Sequence, residues 1–120
     1  MQKDITVFIR TYPDQIRERI VHYHDLILQL YPEMQVTLDR PARMLAYGYG
    51  PRYKDFICSL ILSQKGLKLG LNEGSKLPDP NGLLEGSGKL HKHLVLQKET
   101  DEKYITQLLH DAHQLYDQRR

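Results

Sequence analysis

Two helical apolar stripes bracket a middle of different period, and that order restricts the fold more than any other feature of the chain. Near the start, Ile16, Ile20, Tyr23, Ile27 and Leu30 recur at three- and four-residue spacing, with Val21 and Leu28 beside them and Arg17, Glu18, Arg19 and Asp25 left for water. Thr11 stands as the expected N-cap, Pro13 sits in the first turn, Asp14 takes the capping-box position and Pro32 stops the helix. Asp4 to Arg10 reads as a short helix leading into it. Near the end, Ile105, Leu108, Leu109, Ala112, Leu115 and Tyr116 form a second stripe. Thr100 is its expected cap, Asp101 and Glu102 suit its positive first turn, and Arg119 and Arg120 suit its negative end.

The stretch between them alternates. Arg43 to Tyr47 reads as a strand, followed by a turn at Gly48-Tyr49-Gly50-Pro51. Asp55 to Ser63 is apolar on both sides, with Phe56, Cys58, Leu60 and Leu62 on one face and Ile57 and Ile61 on the other. That is the signature of a central strand. Gln64-Lys65-Gly66 turns it into Leu67 to Asn72, where Leu67, Leu69 and Leu71 face one way. Residues 73 to 88 are dense in Gly, Pro, Asn and Asp, with Leu83 and Leu84 expected to tuck inward from a short helical turn. Lys89 to Leu96 reads as a further strand, Leu90, Leu94 and Leu96 inward and Lys89, His91 and His93 outward. Helix, strands, helix predicts an α+β fold: an antiparallel β-sheet packed against long N-terminal and C-terminal helices.

Composition then removes whole classes of function. A chain of 120 residues is one domain's length, so residues 1–120 are expected to form a single unit with one core. Its one cysteine, Cys58, excludes an internal disulfide framework and a thiolate zinc site. No apolar run is long enough for a membrane span, and Met1-Gln2-Lys3-Asp4 opens no signal-peptide core, so the expected location is cytoplasmic with no membrane partner. A formal charge of +2 selects no partner by bulk electrostatics, and nucleic acid is disfavoured.

Within that frame Gly66-Leu67-Lys68-Leu69-Gly70-Leu71, Gly74 with Leu77-Pro78-Asp79-Pro80, Gly82 through Lys89, and Lys92-His93 make a pattern that resembles the bacterial YdhG-like domain family. With the flanking helices and Tyr47-Gly48-Tyr49-Gly50 the resemblance spans most of the chain, and Leu77 to His93 is its most specific stretch. The family is a set of small α+β proteins, mostly without assigned function, and its pattern usually carries an arginine near the place of Lys92. Some relatives are described as frataxin-like intracellular iron chaperones, so the resemblance implies iron as a cargo.

The residues themselves show no catalytic set. Five residues separate Gly82 from Gly88, and Leu90 follows Lys89, so this is not a phosphate loop of the Walker type. Cys58 lies among apolar neighbours, and Ser59 and Ser63 have no nucleophile-elbow context. His91 and His93 lie two apart on a strand, enough for two metal bonds but not three; His110 and His113 share a helix face. Iron would need a carboxylate cluster, and the acidic residues here are either interleaved with arginine or used at a helix start. The polar, aromatic and glycine-rich residues concentrate in two segments. The expectation is therefore a non-enzymatic binding or carrier domain for a small anionic ligand. Its site would be built from Tyr47, Tyr49, Tyr53, Lys68, Lys89, Lys92 and His93, with no cofactor evident. An iron chaperone and an interaction or self-association module (monomer or homodimer) are the alternatives.

Overall fold

The computed structural model describes residues 1–120. Helices α1 (Lys3–Ile9) and α2 (Asp14–Leu30) lead into five strands: β1 (Gln35–Asp39), β2 (Met44–Gly48), β3 (Phe56–Leu62), β4 (Leu67–Leu71) and β5 (Lys92–Leu96). Helix α3 (Glu102–Arg119) closes the chain. The strands pair in sequence order, β1-β2-β3-β4-β5, all antiparallel. The fold is α+β, with the N- and C-terminal helices against one sheet.

Strand parity decides which face they cover. Leu45 pairs Leu60, Leu60 pairs Leu69, and Leu69 pairs Leu94, so one leucine row crosses four strands on the helix side. Ile20 and Ile27 of α2 and Ile105, Leu108 and Leu109 of α3 join these leucines in one apolar cluster, and Ile5 and Ile9 of α1 complete it. Each buried leucine or isoleucine contributes about 1.5–3 kcal/mol relative to exposure, so the row and its helices dominate the stability. The opposite face carries no helix. Across it run Thr37, Ala46, Ser59, Gly70 and His93, one residue from every strand in register.

Strand β3 departs from simple alternation. The pairing shifts between Tyr47 and Gly48, so Ile57 is inserted and joins Cys58 in the core cluster, where the sequence placed it opposite. Gly48 makes this bulge fit: a Cβ there would collide with the Asp55 carbonyl, and Tyr49 N–H donates to that same oxygen at 2.9 Å.

Several local expectations need correction. Strand β1 is absent from the sequence reading. Strand β5 begins at Lys92, not Lys89, and Leu90 is exposed because its segment is still loop, tied by Ser75 N–H donating to the Leu90 carbonyl. Helix α2 starts after Pro13 with no side-chain cap, since Thr11 turns its hydroxyl onto the Phe8 carbonyl. Asp101, not Thr100, caps α3 by accepting from Lys103 N–H; Thr100 Oγ1 accepts instead from Gln97 N–H. Leu84 reaches the core but Leu83 is exposed, both held by Asp79, whose carboxylate accepts from their two N–H groups. No helix is long and apolar enough to cross a membrane.

Candidate functional site

The helix-free face owes its most polar corner to β4 and β5. Gly70 sits between Ser59 on β3 and His93 on β5. Lacking a side chain, it leaves space that its neighbours fill: a Cβ there would meet Ser59 Oγ directly, Ile61 Cδ1 at 3.1 Å and His91 Nε2 at 3.3 Å. Ser59 is buried in that packing, while Ile61 and His91 are half-buried. His93 flanks them, its ring centre 6.4 Å from that of His91. Lys68, two residues before Gly70 and therefore on the same face, stands exposed between Ile61 and Val95.

The outer edge of β5 is partly closed here. Glu85 and His93 exchange both backbone hydrogen bonds, at 2.8 and 2.9 Å, which seats the exposed Glu85 beside His93. No carboxylate lies within ion-pair distance of either imidazole or of Lys68. Burial and then the adjacent His93 ring hold the His91 imidazole below its ordinary range. Imidazole N–H and lysine ammonium are donors, a set suited to an oxyanion.

The structure divides the seven residues expected at the site. Lys68 and His93 share the helix-free face, and Tyr53, on a short 3-10 turn against Phe56, is exposed near its far end. Tyr47 is a correction. It points to the helix side and is fully buried, its hydroxyl 2.8 Å from His24 Nδ1, because strand parity pairs it with Leu45. Burial raises its phenol well above the ordinary range, so it offers a ligand nothing. Lys92 has the same parity; its stem packs on Gly74 and its ammonium donates to the Gly86 carbonyl. Lys89 lies in the loop ahead of the strand, exposed and outside the row.

Tyr49 belongs to a different cluster that sequence reasoning missed. Its hydroxyl donates to Glu33 Oε1 at 2.7 Å, and His113 Nε2 lies 2.6 Å from the Tyr49 hydroxyl oxygen. His113 Nδ1 faces Asp117 Oδ2 at 3.1 Å, Tyr31 stacks on the His113 ring at 4.6 Å, and Tyr116 stacks on Tyr49. Burial, then the bond to Glu33, raise the Tyr49 phenol, and that bond lowers the Glu33 carboxyl. The phenol therefore keeps its proton and acts as a tie between the end of α2, the end of β2 and α3. A signal was present: His113 lies four residues after Leu109 and three before Tyr116, on the buried stripe of its helix.

No three His, Cys, Asp or Glu side chains gather closely enough to hold a metal ion. Comparison with protein-family models, with curated proteins and with solved structures finds no match to this chain.

Proposed function

We propose that this chain is a non-enzymatic binding domain that takes a small oxyanion on its helix-free sheet face, at Lys68, His91 and His93. The observation that carries this reading is the exposed Lys68 and the neighbouring His91 and His93 rings on one face, with no carboxylate within ion-pair distance of any of them. An ammonium and two imidazoles on a face that no helix covers can meet an anion's oxygens without rearranging the fold. The exposed Glu85 beside His93 works against negative charge, so affinity is modest and the ligand small.

Sulfate is a suitable probe because it stays dianionic across neutral pH. A sulfate titration followed by amide NMR should move Lys68, His91 and His93 together. Absence of these shifts at tens of millimolar sulfate, or shifts confined to the Tyr49–His113 cluster, overturns the reading.

The iron-chaperone reading ranks second. Glu85 supplies a carboxylate across from His93, which the histidine pair alone lacks. Calorimetry with ferrous iron under anaerobic conditions tests it: binding tighter than millimolar that Glu85→Gln and His93→Gln both weaken would favour iron over an anion.

A further inference from the structure

We propose that the outer edge of β1 is a self-association surface. A second copy of this chain pairs its own β1 there, antiparallel, about a two-fold axis through Thr37, so that two sheets become one. The surface lies at the opposite edge of the sheet from the anion corner and does not depend on it.

Backbone parity decides which groups β1 leaves open. Leu62 N–H donates to the Arg43 carbonyl across β2 and β3, so Arg43 and Leu45 are the residues through which that end of β2 bonds β3. Met44 and Ala46 then bond β1 through Asp39 and Thr37. The N–H and C=O groups of Val36 and Leu38 therefore point out of the sheet, and no turn or loop backbone reaches them. The other edge differs: Glu85 takes both outward groups of His93, leaving Val95 alone on β5. No proline, lysine or bulge interrupts Gln35–Asp39, and its one charge, Asp39, stands at its end.

The strand is complementary to itself. With the axis at Thr37, Val36 meets Leu38 of the second copy as a hydrogen-bonded pair on each side, so every outward N–H of both strands finds a carbonyl. The same two side chains, half-buried at the margin of the core, close on each other across the seam. On the helix-free side the Gln35 amide meets the Asp39 carboxylate, of which only Oδ1 is taken by Ala42 N–H. Past the strand ends, antiparallel order brings the exposed Glu33 beside the exposed Arg40, which has no ion pair within its own chain. Two five-residue strands bury less than the roughly 1,200 Å² of a stable interface, so the association is weak and depends on concentration.

Sedimentation velocity of the full chain from about 10 µM to about 1 mM should show monomer giving way to dimer, and amide exchange at Val36 and Leu38 should slow over the same range. Thr37 faces its own copy at about 4.5 Å between Cα atoms, so a charge placed there meets itself. Thr37→Lys and Thr37→Glu should each weaken self-association at least about tenfold, and an equimolar mixture of the two should restore it. Such rescue requires residue 37 to lie on the axis. A chain that stays monomeric at about 1 mM overturns the proposal. So does a dimer that either variant leaves intact, or one that the mixture fails to restore, because association then uses another surface. Should the variants not fold, the wild-type exchange decides: a dimer with no slowing at Val36 and Leu38 overturns the edge pairing.

Discussion

Gly70 is the residue at which the helix-free face is packed most tightly, because its neighbours already fill the space that a side chain would take. Gly70→Ala drives a methyl into Ser59 Oγ and against Ile61 and His91, so we expect a loss of about 1–3 kcal/mol in denaturant unfolding. Gly66→Ala is the control: nothing stands within 4 Å of its Cβ, and it should change stability by less than about 0.5 kcal/mol. A Gly70→Ala variant as stable as the parent chain would contradict that close packing. His24 supplies a second test at this scale. Burial pushes its imidazole down, so neutral His24 stabilises the fold at pH values above its unfolded range, and that contribution disappears as pH falls through the lowered folded value. Unfolding free energy against pH should show this acid limb, and His24→Gln should flatten it while costing about 1–3 kcal/mol at pH 7 for the disturbed bond to Tyr47. Both buried residues were open to reading in the sequence. Tyr47 is two residues from Leu45, and His24 is four from Ile20 and three from Ile27, yet polar character drew attention away from parity.

Elements were legible where their period was long. The stripes of α2 and α3 and the Leu67-Leu69-Leu71 alternation survive almost unchanged in the structure. The losses are short or edge features. Strand β1 has only Val36 and Leu38 facing the helix side, too few alternations to outweigh the polar residues around them. The β3 bulge reversed Ile57 because inserting one residue moves a side chain to the other face, and no composition signal precedes it. The start of α3 was misplaced by one residue, since Thr100 and Asp101 are both good caps and only geometry separates them. Asp101→Ala should therefore lower stability by about 1 kcal/mol and fray the first turn of α3, read by amide exchange at Lys103. Thr100→Ala should leave the protection of Lys103 in place and loosen the Gln97 turn instead. Across elements, Tyr49→Phe removes the hydroxyl that joins Glu33 to His113, and a loss of about 1–3 kcal/mol is expected in denaturant unfolding.

For the molecule as a whole, the decisive asymmetry is a five-stranded sheet with helices on one side alone. One face buries its leucines; the other presents a row that ends in an imidazole pair beside an unpaired lysine. Of the site expected from sequence, Lys68 and His93 lie in this corner, because period-two alternation carried their placement. The tyrosines do not gather there, because Tyr47, Tyr49 and Tyr53 flank a bulge that sends them to the core, to α3 and to the open face in turn. A crystal soaked in selenate puts the anion placement to the most direct trial, since its anomalous scattering locates an oxyanion without prior choice of position. The expected peak lies on the helix-free face, against Lys68 and the His91 and His93 rings. A peak elsewhere with this corner empty would contradict it.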